Sequence, residues 1–570
     1  MSYFRSFTSA ILFCVLLLSI TACNGTDEGS NDMLTASPED PQFEWFEYTG
    51  QDPVYEDITA GPDEYLNPIL AGFKPDPSIA RAGDDYYVVA SSFAYFPGLP
   101  IFHSTDLVHW EQVGHVVTRS SQLDYSGLDI SEGIFPPTIR HHNGTVYDIT
   151  TMVGGGGNVL MTASNPTGPW SDPVSLPFDG IDPSVFFDED GSVYITHNAP
   201  PPGEPEYDGH RALWVQEYDP ETEEMVGSHD VLVDKGVDPS EEPIWIEAPH
   251  IFKKNGTYYL IAAEGGTGPN HSEVVFRSDS VRGPYEPYEN NPILTQRHLP
   301  PDRPRPIHTA GHADFTRTPN GEWWAVFLAT RPYENGFFNT GRETFLLPVH
   351  WTDDEWPVIL DRNETVPYVH DAPDLPQSDS PSIPTAGNFT VRTDFDADSL
   401  APYWNFIRAP EETWHSLENG SLTIEPRSAS LQSLGQPSFI GRRQQHAHAT
   451  ATTALRFTPD DDKKAGLVAF QNTDHYYLLA ITQNNGRPTI QLEKAAGGDA
   501  EIIASEELEH LSDAPLYLRI EARGSEYDFS YGYDAETWTA LETGADGTIL
   551  STEVAGGFVG TYFGLYAHHD

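Results

Sequence analysis

One short phrase recurs five times along the chain, and few folds can bury five copies of it at once. Each copy has a proline or its equivalent, a few β-prone residues and a tight turn that combines Gly with Asn or Asp; three copies add a pair of aromatics. The phrase reads Asp76-Pro77-Ser78-Ile79 before Gly83-Asp84 and Tyr86-Tyr87, then Pro136-Pro137-Thr138-Ile139 before Asn143-Gly144, then Asp182-Pro183-Ser184-Val185 before Asp190-Gly191. It returns as Ala248-Pro249-His250-Ile251 before Asn255-Gly256 and Tyr258-Tyr259, and as His312-Ala313-Asp314-Phe315 before Asn320-Gly321 and Trp323-Trp324. Such turns supply the positive φ angles of a two-residue hairpin, and their flanks are β-branched or aromatic, so each copy reads as a hairpin. Positions 77, 137, 183, 249 and 313 are 60, 46, 66 and 64 residues apart, which is room for the four strands of a propeller blade. The expected fold is all-β, with a five-bladed propeller over residues 62–365.

Blades are arranged radially, so equivalent innermost strands begin near one axis at one end. Three phrase starts carry an acid: Asp76, Asp182, and Glu247 immediately before Ala248; the other two carry Pro136 and His312. Acids gathered at one mouth cannot all stay charged cheaply, and a carboxyl pKa rises in consequence.

Residues 366–388 are proline-rich and read as a linker. From 389 to 570 a strand alternation takes over. Leu516, Leu518, Ile520 and Ala522 share one face, Tyr517, Arg519 and Glu521 the other, and a turn at Gly524-Ser525 leads to Tyr527, Phe529, Tyr531 and Tyr533. This predicts a β-sandwich, with further strands near 389–395, 449–457, 476–482 and 489–494 and no long helix.

With 86 acidic and 30 basic residues the formal charge is −56, which argues against nucleic acid or an anionic membrane surface as partner. So acidic a surface suits a saline medium, where salt screens its self-repulsion. Near the start, Arg5 precedes an apolar run from Ile11 to Ile20, too short to span a bilayer and suited to an export signal over residues 1–22. Ile20-Thr21-Ala22-Cys23 resembles the bacterial lipoprotein cleavage box, which makes Cys23 the lipidated residue of an exported, membrane-anchored protein. A plain secretory signal cleaved near Ala22 is the alternative. Residues 23–61, acidic and without periodicity, read as a tether.

An ordered set of motifs resembles glycoside hydrolase family 43. Its carriers are Gly72-Phe73-Lys74-Pro75-Asp76-Pro77-Ser78, Ser91-Ser92-Phe93, Gly180-Ile181-Asp182-Pro183-Ser184, Trp245-Ile246-Glu247-Ala248-Pro249-His250, Gly311-His312-Ala313-Asp314 and Gly341-Arg342-Glu343-Thr344. Phe439-Ile440-Gly441-Arg442-Arg443 and Gly556-Gly557-Phe558 resemble the concanavalin-like sandwich of the family's β-xylosidases. The resemblance implies an exo-acting, inverting enzyme that releases xylose from xylo-oligosaccharides or arabinoxylan-derived substrate and requires no cofactor. A terminal α-L-arabinofuranosidase, alone or combined, is the neighbouring reading. A non-catalytic carbohydrate-binding surface lipoprotein is a reading of a different class, for which at least one acid should be missing.

By the same resemblance Asp76 is the general base, Glu247 the general acid and Asp182 the group that tunes the acid. Arg342 faces sugar hydroxyls, unless it is an ion-pair partner of an acid such as Glu343. His312 points to the axis, where some relatives hold a calcium ion; a hydrogen-bonded core histidine is the alternative. Phe93 and Phe135 flank the phrases near the pocket rim and suit either a sugar face or plain core packing. Two departures stand out: Ala248 replaces the family's usual Gly, and Pro136-Pro137 its usual Ala-Pro. A sandwich docked on the propeller mouth implies a closed pocket and exo action.

Overall fold

The computed structural model describes residues 40–460, 462–509, 511 and 514–570. The expected signal, Cys23 and the tether as far as residue 39 lie outside the described residues.

Five antiparallel blades follow one another, three of four strands and two of five, their inner strands being Ser78–Ala82, Thr138–His142, Ile181–Phe187, Glu247–Lys254 and His308–Arg317. Each inner strand packs on its neighbouring blades, and the fifth closes against the first. The turns behave as their residues dictate: Asn143 and Gly144 sit at φ 51° and 81°, and Asn255 and Gly256 at 53° and 87°, the geometry that lets a two-residue loop follow the strand twist.

Four of the five phrase starts carry a feature their sequence does not announce. In the third, fourth and fifth blades three residues of the inner strand oppose two of its partner, at Ile181–Ser184, Glu247–His250 and Gly311–Asp314. These β-bulges turn a residue toward the hub. Asp76, Asp182, Ala248 and His312 adopt φ of 55°, 53°, 51° and 54° there. None is glycine, and left-handed backbone costs an L-residue about 1 kcal/mol or more, so the surrounding fold holds these four in place.

Two residues further along each phrase, Ser78, Thr138, Ser184, His250 and Asp314 are all buried and build a polar plug. Arg140 donates to both oxygens of Asp314 at 2.6 and 3.0 Å, Ser78 donates to Asp314 at 2.6 Å, and His250 Nδ1 lies 3.0 Å from Ser184 Oγ. Burial pushes the Asp314 carboxyl up, but the charge and hydrogen bonds of Arg140 and its neighbours overcome this and hold it at about 2.

The sandwich has two antiparallel sheets, and its composition corrects two expected boundaries. Gln42–Gly50, assigned to the tether, is a strand inside the first sheet, paired with His448–Arg456 on one side and with Phe389–Thr393 and Ser421–Ile424 on the other. Its Phe43, Phe46 and Tyr48 are fully buried in the sandwich core; these aromatics follow no clean alternation, because a bulge between Phe43 and Trp45 shifts the register. The linker is pinned as well: Val369–Asp371 pairs with Glu64–Leu66, and Thr385 accepts from the Ala71 amide at 2.8 Å. Conversely, Tyr95–Phe96 of the first blade forms the edge of the second sheet, against Asn405–Ile407. Leu516–Arg523 alternates as read, with Leu516, Leu518, Ile520 and Ala522 inward. Tyr533 lies past the strand end at Gly532 and is exposed. Among the described residues the α-helices are the short Pro53–Asp57 and Thr552–Ala555.

Candidate active site

At the bulged end of the hub a cavity of about 300 Å3 is lined by Asp76, Asp182, Glu247, His312, Arg342 and the aromatics Phe93, Phe135, Trp245 and Phe558. The bulges explain why residues one position apart in the phrase, Asp182 in one blade and Glu247 in the next, face the same space.

Asp76 is held from three sides. Arg342 Nη1 lies 2.6 Å from its Oδ1, Ser91 donates to Oδ2 at 2.6 Å, and His312 Nδ1 is 3.7 Å from Oδ1. The His312 imidazole is pushed down to about 4, first by burial, so it is neutral near pH 7. Glu247 and Asp182 lack such support. Burial, then the Asp182 and Asp76 charges, raise the Glu247 carboxyl well above its usual range, with Arg342 and Arg211 opposing. Burial, then Asp76, push Asp182 up to about 7, against the Ala248 backbone N–H and both arginines. One oxygen of Asp182 is buried with no partner among the described residues. Removal from water, ahead of the charge of Asp182, is the larger cause of the Glu247 shift. The chemistry available is one ion-paired carboxylate facing Glu247, an acid held in its protonated form, and Asp182, poised near neutrality.

Several residues keep the positions expected of them. Phe93 and Phe135 line the cavity, and Phe93 also belongs to a core cluster with Phe73 and Tyr95, so it serves both packing and pocket. Arg342 is an ion-pair partner of an acid, as the alternative reading had it, but the acid is Asp76 and not Glu343, whose carboxylate is engaged at both oxygens by Arg331 at 2.6 and 2.8 Å. Calcium at His312 finds little support. Calcium takes about 6–8 oxygen ligands, whereas His312 offers one imidazole nitrogen close to the Arg342 cation. Among the described residues no group of three His, Cys, Asp or Glu side chains could hold a metal ion. The donor set does not fit that ion.

Three contributors went unread. Trp245, two residues before Glu247, is 39% exposed, and Arg211 lies 5.2 Å over its ring while its charge acts on both Asp182 and Glu247. Phe558 comes from the sandwich. Its ring stacks 5.9 Å from Phe93, its amide donates to Ser131 Oγ at 3.0 Å, and its carbonyl accepts from Arg342 at 3.4 Å. Its flanking Gly556 and Gly557 have φ of 73° and 74°, the one signal that a sharp loop was being aimed somewhere.

A carboxyl held protonated beside an ion-paired carboxylate, with aromatic walls for an apolar sugar face, is equipment for splitting a glycosidic bond; the class is glycoside hydrolase. Comparison with known proteins agrees. Residues 65–357 match the family model described as glycosyl hydrolases family 43, and residues 392–570 match the beta xylosidase C-terminal concanavalin A-like domain. A xylosidase/arabinosidase of Butyrivibrio fibrisolvens is 40% identical over 509 residues, covering 88% of this chain and 95% of that protein. A non-reducing end alpha-L-arabinofuranosidase of Bacteroides ovatus is 38% identical over 510 residues, covering 88% and 91%. A solved GH43_12 structure from a capybara gut metagenome superposes with a TM-score of 0.86 at 40% identity, covering 93% of this chain and 99% of that one. The chain belongs to glycoside hydrolase family 43.

Proposed function

We propose that the chain is an exo-acting, inverting β-xylosidase that removes terminal xylose from xylo-oligosaccharides. The observation that carries this reading is the meeting of acids from three blades in one cavity walled on one side by Phe558 of the sandwich. In the proposed step Asp76 takes a proton from water while the water oxygen bonds to the anomeric carbon. Glu247 gives its proton to the departing oxygen, which leaves with the electrons of the broken glycosidic bond. Asp182 keeps Glu247 protonated, and Arg342 orients Asp76 and the sugar hydroxyls with its rigid fork of donors. Inversion needs base and acid about 6.5–9.5 Å apart, with the water between them.

A second reading, α-L-arabinofuranosidase or dual activity, is favoured by the names of the two relatives above, one of which carries both sugars. Hydrolysis of nitrophenyl β-D-xyloside against nitrophenyl α-L-arabinofuranoside separates the two, and proton NMR of the first-formed sugar reads the stereochemistry. Asp76→Asn and Glu247→Gln should each lose about 10²–10⁴-fold in turnover. Folded protein inactive on both substrates would sink the proposal and revive the binding-lipoprotein alternative. Export and anchoring through Cys23 are supported by the Ile20–Cys23 box; incorporation of labelled palmitate, lost in Cys23→Ser, is the test.

A further inference from the structure

Where the propeller meets the sandwich there is a second cavity, of about 290 Å3, with a chemistry unexpected in so acidic a chain. Lys74, Arg442 and Arg443 line it, only 4%, 1% and 4% exposed. The remaining lining is largely apolar and includes Phe102, Ile383 and Pro402.

The cations are short of partners. Nearby carboxylates are committed elsewhere: Glu343 to Arg331 and the Gly72 amide, and Asp52 to Arg331 at 2.6 Å. Lys74 Nζ donates to the Ala71 carbonyl at 2.5 Å, Arg443 to Phe73 O at 2.6 Å and Asn405 Oδ1 at 2.7 Å, and Arg442 to Gln445 Oε1 at 2.9 Å. All these acceptors are neutral. Nε and Nη1 of Arg442 and Nη2 of Arg443 are buried with no acceptor among the described residues. The rings of Tyr48 and Tyr403, 4.5 and 4.9 Å from the Arg442 guanidinium, soften its charge without accepting those hydrogens in line. Glu111, at the rim, is exposed to solvent.

Buried charge without a counter-charge is expensive, and buried N–H groups without acceptors add to the cost. Burial, with Arg443 and Arg442 acting in the same sense, holds the Lys74 ammonium well below its usual range. An anion brought to this place would meet two guanidinium cations already stripped of water and would favour the charged form of Lys74. A bare inorganic ion would leave the apolar walls unused, whereas an anion with a carbon skeleton would cover them.

We propose that this cavity binds a small organic carboxylate, its anionic end among Lys74, Arg442 and Arg443 and its apolar body against Phe102, Ile383 and Pro402. The occupant would sit close to the catalytic strand, since the Lys74 amide donates to Arg342 O at 3.0 Å and Lys74 precedes Asp76 by two residues.

Thermal unfolding of the full chain, titrated with sodium benzoate, sodium D-glucuronate and sodium chloride at matched ionic strength, tests this. At least one carboxylate should raise Tm saturably by about 2 °C or more beyond chloride. Benzoate alone doing so would mark an aromatic acid as the source, and glucuronate alone a sugar acid. Lys74→Met should weaken the effect at least tenfold. Ile383→Trp fills the cavity while leaving the cations in place and should abolish it; this variant also excludes binding at Arg342 in the active site and serves if Lys74→Met fails to fold. The proposal is overturned if neither carboxylate exceeds chloride, or if the increment survives in Ile383→Trp.

Discussion

Ala248 illustrates how much one residue of the site depends on its backbone. It holds φ 51° immediately after Glu247, where a methyl group is strained and glycine is not. Ala248→Gly should therefore stabilise the fold by about 1 kcal/mol, read as a rise in chemical denaturation midpoint, with turnover retained. Asp182 makes a prediction in pH. Its carboxyl is raised from 3.8 to about 7, so between those values the folded chain holds a proton that the unfolded chain has lost. Its contribution to stability is complete below about 4 and is lost as pH rises through 7. Asp182→Asn should flatten that decline. It should also move the alkaline limb of kcat/KM to lower pH, because a negative neighbour of Glu247 is removed; an unmoved limb would exclude Asp182 from tuning the acid. The candidate acids themselves were legible because the phrase marks where each blade begins. Arg211 was not, since nothing in its local sequence marks it and its relation to Asp182 is made only by the adjacent strands.

Among the elements, the hub owes its function to two positions of one phrase. The first faces the pocket and the third builds the plug, where Arg140 neutralises Asp314, so alternation along a bulged strand separates chemistry from support. Arg140→Met would leave Asp314 buried without its cation, and such removals cost about 3–5 kcal/mol. A large drop in Tm is expected, while the pH dependence of any surviving activity keeps its shape. The loop bearing Phe558 is the opposite case, exposed at its tip and meeting the propeller at Phe93, Phe135, Ser131 and Arg342. Phe558→Ala should leave Tm nearly unchanged but raise KM for short substrates by about tenfold, the loss of one aromatic contact worth about 1.4 kcal/mol. Hairpin turns and strand alternation could be read in advance because they depend on neighbours two to four residues apart. Bulges could not, being decided by the register of a partner strand.

At the scale of the whole molecule, the two domains are not successive beads. Gln42–Gly50 belongs to the sandwich although it precedes the propeller, and Tyr95–Phe96 of the propeller extends a sandwich sheet. A fragment of residues 389–570 lacks an interior strand of its first sheet and should fail to give a cooperative thermal transition. The charge of −56 predicts a rising Tm as salt goes from about 0.1 M to about 1 M and the Debye length contracts from about 10 Å to about 3 Å; a flat response would remove the case for a saline medium. The amino-acid order alone determined the blade count, the turns, the three acids and the family, because repeats and local propensities are written in neighbouring residues. The tertiary structure alone decided that a strand from before the propeller completes the sandwich, that Phe558 walls the pocket, and that three cations share a cavity. Those outcomes rest on burial and pairing between segments hundreds of residues apart, whose free energy exists only once the chain has closed on itself.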